Sequence, residues 1–244
     1  MQHKRTNVKD MYITTEQMHQ IFVNAENQLG MKHTCMMENA GHGIADFIII
    51  KFKEKLKHNK NIIALCGTGF NGGDTFVASR HLVSNSHYSL NLTVVLLGNP
   101  HDLHSDSRFF WDIINKMSSI KIVFGNRIIF DDEIRTKISK ADIIIDGIIG
   151  APLKENEIYE QNLLAIEMIN SSKKAYVVAV DTPSGLDPNT GKVYGEKCVK
   201  ANATITFHRI KKGLLNNKKY TGIIRIENIG IPKKAERGII AQEI

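Results

Sequence analysis

Residues 66–82 read CGTGFNGGDTFVASRHL and follow directly on the short apolar run NIIALC of residues 61–66. Four glycines, at 67, 69, 72 and 73, fall within seven positions immediately ahead of Asp74. The apolar run bounded by glycine predicts a buried strand, and the residues beyond the glycines predict a helix from Asp74 to about Asn85. Gly67, Gly69 and Gly72 then satisfy the spacing G-x-G-x-x-G between strand and helix, where residues without a Cβ let a ligand approach the backbone N–H groups of a helix N-terminus. Phosphate or pyrophosphate is the natural guest of such a loop. The side-chain oxygens of Asn71 and Asp74 also suit a hard cation or a sugar hydroxyl, and Asp74 taken alone reads most simply as the helix N-cap.

Outward from this loop the chain repeats the same alternation. Further apolar strands are expected at 92–97, 121–124, 142–146, 175–180, 203–207 and 222–226, with helical patterns at 105–117 and 157–170 between them. Ahead of the loop, Thr14 with Gln17 three residues later resembles a capping box, Gly30 is a plausible terminator, and a second helix is expected from Met36 to Lys57. Buried strands alternating with helices imply a mostly parallel sheet covered on both faces, because parallel neighbours need crossover connections. The expectation is an α/β fold, doubly wound, in one domain over residues 13–244, with residues 1–12 and the last ten or so as mobile ends.

Composition narrows the function class. The chain has 244 residues, 42% of them hydrophobic and 23% charged, which is globular and enough for one large core. It contains no apolar run of membrane-spanning length, and its N-terminal MQHKRTNVKD lacks the apolar stretch of a secretory signal, so a cytoplasmic protein is expected. Cys35, Cys66 and Cys198 lie far apart with no CxxC spacing, which suggests neither a disulfide framework nor a zinc site. The net charge of +7 would favour a polyanion, but the lysines are scattered in pairs such as Lys173-Lys174, Lys211-Lys212 and Lys218-Lys219, with no interleaved aromatics. They read as a solvated basic surface, compatible with a phosphate-bearing small substrate and not with a nucleic-acid footprint.

Two other strand ends carry chemistry. In DIIIDGIIGAPLK, Asp146 closes one strand and Gly147 and Gly150 loosen the loop after it; in VVAVDTPSGLD, Asp181 closes another, followed by Thr182, Pro183, Ser184 and Gly185. Each aspartate singly could serve a turn or a cap. Ligands of open α/β sheets bind outside the carboxyl ends of strands, so three such ends converging make a site. A conventional dinucleotide dehydrogenase needs an acidic residue at the end of the second strand to hold a ribose, whereas LTVVLLGNP ends in Gly98-Asn99-Pro100.

The stretches MMENAGHGIADFI, CGTGFNGGDTFVASRHL, ADIIIDGIIGAPL, VVAVDTPSGLDPNTG and ANATITFHRIKKGLL, in this order and spacing, together resemble the NAD(P)H-hydrate epimerase family, the YjeF N-terminal domain also found as half of bifunctional repair enzymes. The resemblance runs from about Ile13 to Ile231. It implies a Rossmann-like three-layer α/β/α sandwich, commonly dimeric, that binds a potassium ion and interconverts the R and S epimers of NADHX and NADPHX, in which water has added at C6 of the nicotinamide ring. Carried over by motif, Asn71, Gly72, Gly73 and Asp74 would bind substrate, as would the loop of Gly150, Ala151, Pro152, Leu153, Lys154, Glu155 and Asn156 and the carboxylate of Asp181. Asn71, Asp146 and Ser184 would hold potassium. Asp181 is the expected acid/base group, with Lys154 as a phosphate contact or second proton-transfer group; a surface lysine is the plainer reading of Lys154. A separate NAD(P)H-hydrate dehydratase is the implied partner.

The sequence also departs from that pattern. Phe70 stands where the family usually has a second Asn, Thr75 where it usually has Gly, and GAPLK where a TGL-type sequence is usual. His81 and His208 fall inside the motifs but at no functional position, and read as structural. Relatives of this domain also serve as non-catalytic scaffolds in RNA-decapping assemblies or bind a lipoprotein. Such a module would be expected to lose the carboxylates or the cation ligands, and here Asn71, Asp74, Asp146, Asp181 and Ser184 are all present.

Overall fold

Strand β2 (Lys60–Cys66) lies near the middle of a seven-stranded parallel sheet, and the chain winds outward from it first one way and then the other. It passes through β3 (Leu90–Leu96) to the edge at β4 (Ile120–Phe124), then returns to β5 (Ile143–Gly147) on the other flank of β2 and continues through β6 (Tyr176–Val180) and β7 (Ala203–Phe207) to β9 (Ile223–Glu227). The order β4-β3-β2-β5-β6-β7-β9 therefore reverses direction at the β2/β5 pair, where Cys66 lies beside Gly147. A reversal of this kind opens a crevice beyond the strand ends. The computed structural model describes residues 12–85, 87–150 and 159–240.

Successive side chains of each strand point to opposite faces, and both faces are buried. On one face Ile62, Ala64, Cys66, Val94, Ile145, Val178 and Ile205 pack beneath the helices α1 (Thr15–Leu29), α2 (His33–Phe52), α3 (Phe70–Ser84) and α4 (Ser105–Ile114). On the other, Ile63, Leu65, Val95, Ile144 and Val177 meet α5 (Asp132–Lys140) and α6 (Glu160–Ser171) through Ile134, Ile138, Ile166 and Ile169. This is the three-layer α/β/α sandwich that the family resemblance implied. Each buried Ile, Leu or Val stabilises by roughly 1.5–3 kcal/mol, which is why a short apolar run becomes a strand between two helix layers. Cys66 and Cys198 are buried, and burial pushes both thiols up; Cys35 is exposed.

Several element boundaries differ from the sequence expectation. The capping box at Thr14 and the left-handed terminator Gly30 are both present around α1. The second helix spans His33–Phe52 rather than reaching Lys57, and a separate 3-10 turn covers Lys55–Lys57. The helix expected from Asp74 begins four residues earlier, with Gly69 as its N-cap, so Asp74 is inside the helix and caps nothing. The helix pattern from residue 157 is α6; its first expected residues, 157 and 158, lie outside the described residues.

Neither end of the described chain is a loose tail. Tyr12 and Ile13 form β1, which pairs in parallel with β8 (Ile210–Lys211) as a small second sheet. The short helix α7 (Lys218–Thr221) precedes β9, and the 3-10 turn Lys233–Glu236 then docks on α1, where Asn24 donates to the Ala235 carbonyl at 2.9 Å. The expected mobility of the last ten or so residues is thus corrected up to residue 240: Ala235 is buried, and Glu236 accepts from Arg209.

Candidate active site

A cavity of about 1140 Å³ opens beyond the carboxyl ends of β2, β5, β6 and β7, between α1, α2 and the start of α3. Ligand pockets commonly measure about 300–1,000 Å³, so the space suits a ligand as large as a dinucleotide. Its floor is the glycine loop. A Cβ at Gly72 would collide with the Gly67 carbonyl oxygen, which explains why that turn tolerates no side chain. Gly69, Phe70, Asn71 and Asp74 line the cavity from the first turn of α3. Gly72 and Gly73 are buried in the same turn behind them.

Asp146, at the end of β5, is fully buried. Ser184 donates twice to it, from its backbone N–H to Oδ2 at 2.8 Å and from its hydroxyl to Oδ1 at 2.5 Å. The Ile149 N–H in turn donates to Ser184 Oγ at 2.9 Å. Burial pushes the Asp146 carboxyl up to about 6, the bonds from Ser184 opposing the shift. No cation pairs with Asp146 among the described residues. Asn71 donates from Nδ2 to the Val180 carbonyl at 2.7 Å and to the Ile149 carbonyl at 3.4 Å, so its amide oxygen points the other way, over Gly150, where any Cβ would occupy its space.

An ionisable carboxyl beside a hydroxyl, an amide oxygen and backbone carbonyls is an oxygen set without nitrogen or sulfur, which fits a hard monovalent cation. Among the described residues no three His, Cys, Asp or Glu side chains gather as a transition-metal site would require.

Asp181, at the end of β6, has a different environment. Thr206 Oγ1 at 3.0 Å, the Phe207 N–H at 3.1 Å and the Lys211 ammonium all donate to Oδ1, while Oδ2 accepts nothing from the described residues. Asp181 has φ of +60°, and the Thr182 N–H donates back to the Val180 carbonyl at 2.7 Å across it. His208, at the end of the neighbouring strand β7, repeats the pattern with φ of +63° and a 2.6 Å bond from the Arg209 N–H to the Phe207 carbonyl. A left-handed residue in so tight a turn costs roughly 1–3 kcal/mol and persists where the surroundings hold it, commonly at a functional site. Asp74 faces the same cavity at 6% exposure. Burial first, and then the charge of Asp181, push its carboxyl well above the usual carboxylate range, with Lys211 acting in opposition.

The sequence therefore named Asn71, Asp74, Asp146, Gly150, Asp181 and Ser184, and these converge in two adjoining clusters. Ala151 to Asn156, including Lys154, lie outside the described residues. Lys211 corrects the reading of the Lys211-Lys212 pair as solvated surface: it is 3% exposed and lines the cavity, and only its register against β1 marks it out. The departures have separate outcomes. Thr75 is buried and donates its hydroxyl to the Asn71 carbonyl at 2.7 Å, away from the cavity. Phe70 is 43% exposed at the cavity rim, between the rings of His33 at 4.5 Å and His104 at 4.3 Å. His81 is bonded to Glu38 and His208 to Glu236, and neither lines the cavity.

Residues 33–213 match the family described as YjeF-related protein N-terminus. A curated protein named NAD(P)H-hydrate epimerase from Cenarchaeum symbiosum is 40% identical over 94% of this chain and 100% of its own, and one of the same name from Nitrosopumilus maritimus is 40% identical over the same shares. A bifunctional NAD(P)H-hydrate repair enzyme from Pyrobaculum aerophilum is 35% identical over 92% of this chain and 42% of its own. The crystal structure of the yeast protein ynu0 superposes with a TM-score of 0.66 at 19% identity over 86% of each chain, a likeness of fold.

Proposed function

Because the chain belongs to the YjeF-related N-terminal family, we infer that it is an NAD(P)H-hydrate epimerase, an isomerase interconverting the R and S epimers of NADHX and NADPHX. Inversion at C6 of the hydrated nicotinamide ring needs the C6–O bond to break and re-form on the opposite face. The ring nitrogen's lone pair expels the hydroxyl once an acid protonates it, leaving an iminium ion and water. Water then adds to the other face while a base takes up its proton, which leaves the acid ionised and the base protonated; passage of that proton from base back to acid closes the cycle. Positioned proton transfer of this kind contributes typically about 10²–10⁴-fold.

One observation carries the reading: a buried carboxyl raised well above the usual carboxylate range and a carboxylate ion-paired to lysine face the same cavity. A buried carboxyl beside an ion-paired carboxylate is a familiar division into acid and base. Asp74, sheltered from water, is the donor; Asp181, with Oδ2 open, is the acceptor. Negative charge at Asp181 also stabilises the developing iminium. Asn71, Gly72 and Gly73 form the substrate loop at the start of α3. Asn71, Asp146 and Ser184 would hold a potassium ion, whose charge would balance the buried Asp146 carboxylate; Ser184 itself ties the loops after β5 and β6 through the Ile149 N–H and Asp146.

The same reading makes the protein a cytoplasmic homodimer that works beside a separate dehydratase. The relatives named bifunctional NAD(P)H-hydrate repair enzymes support the pairing with a second repair activity; among the described residues no helix is long and apolar enough to cross a membrane. The test follows purified (R)-NADHX toward the S epimer by chromatography in potassium buffer. Wild type is expected to outpace buffer and folded Asp181→Ala to match it; a wild type no faster than buffer overturns the assignment in favour of a binding module.

A further inference from the structure

We propose that Lys211 is a positioning residue for this reaction, its ammonium holding the Asp181 carboxylate by one oxygen so that the other is presented to the substrate. The proposal rests on the epimerase reading above. Lys211 Nζ touches three oxygens, Asp181 Oδ1, Thr206 Oγ1 at 3.2 Å and the Phe207 carbonyl at 3.2 Å, which use the three protons of an ammonium. Thr206 and the Phe207 N–H reinforce the same Oδ1.

Convergence on a single oxygen fixes the carboxylate plane and leaves one lone-pair edge toward the cavity, the arrangement a proton acceptor requires. Asp146 differs, with Ser184 donating to both of its oxygens.

Lys211 reaches this position through two local devices. The tight turn at His208 reverses the chain after β7 so that the fourth residue beyond Phe207 comes back over the end of β6, and the β8 register against Tyr12 and Ile13 then holds it there. The His208 ring, bonded to Glu236, locks the turn. Burial at 3% exposure excludes the water that would otherwise loosen the pair.

The experiment compares wild type with Lys211→Ala and Lys211→Arg in the NADHX assay, with circular dichroism and melting as fold controls. If Lys211 acts through Asp181, Lys211→Ala lowers kcat by about 100-fold while KM stays within about threefold. Lys211→Arg recovers most of the loss, and added methylammonium, sized for the vacated space, partly restores Lys211→Ala. A folded Lys211→Ala with unchanged kcat, or one whose loss lies wholly in KM, overturns the proposal. If Lys211→Ala fails to fold, Thr206→Val removes a second donor to Oδ1 without removing charge: a fall in kcat of about tenfold supports the proposal and no change overturns it. A wild type that does not accelerate epimerisation sinks the reaction itself, an outcome separate from any of these.

Discussion

Asp146 and Asp181 lie at the carboxyl ends of neighbouring strands of one sheet, yet they live in opposite surroundings. Asp146 is fully buried, bonded on both oxygens by a single serine and paired with no cation among the described residues. Asp181 is partly open, bonded three times on one oxygen and ion-paired to Lys211. The same residue type at the carboxyl ends of two neighbouring strands thus sits once in the clasp of a serine and once beside a lysine with one oxygen given no donor by the described residues. What decides between the two is where the donors fall, on both oxygens or on one.

The sharpest way to break that comparison is to remove each charge isosterically. Asp181→Asn is expected to lower the epimerisation rate by about 10³-fold with little change in melting temperature, because the amide keeps the size but cannot accept the proton. Asp146→Asn is expected to cost less, about 10–100-fold, and to erase any difference between potassium and choline buffers. Equal losses from the two, or potassium dependence surviving in Asp146→Asn, would remove the distinction.

Asp74 sharpens the comparison through pH. Its carboxyl is raised in the folded protein, so the folded state binds more protons than the unfolded one, and this group's contribution to stability falls as pH rises from about 4 through the raised folded value. In Asp74→Asn that loss is absent. Urea midpoints should therefore show the variant gaining on wild type between pH 4 and neutrality, by a shift of order a few tenths molar, and a constant difference across pH would contradict the assignment. Asp146 obeys the same sign over the window from 3.8 to about 6, so stabilisation by potassium, which favours the ionised form, should be near nil at pH 4 and complete above pH 7. The smallest expected effect is Phe70→Asn, a change of no more than about threefold in KM, since the ring borders the cavity and does not touch either carboxyl pair.

The parallel sheet was legible because β2, β3, β5 and β6 each carry a mostly apolar run that stops close to a glycine or aspartate, as strands covered on both faces do. Asp146 and Asp181 were legible for the same reason, each closing a run. The start of α3 was misplaced because glycines discourage a helix in isolation, whereas here Gly72 and Gly73 are helical residues whose missing Cβ makes room for the Gly67 carbonyl and for the Met37 and Ser107 side chains. Lys211 escaped notice because a lysine in a basic pair looks like surface, and its burial comes from a turn at His208 and a two-residue ladder to Tyr12 that leave no periodic trace. The charge state of Asp74 was equally unreadable, being a product of burial against Asp181.

That two-residue ladder has a kinetic consequence. It joins segments about 200 residues apart in sequence, so the loop-closure entropy it must overcome is among the largest in the molecule, whereas β2, α3 and β3 are neighbours in the chain. Trp111, buried in α4 against Phe76, reports on that early-forming half. In refolding from denaturant its fluorescence should recover first and catalytic competence last, making enzyme activity a clock for the final zipping of the chain's two ends.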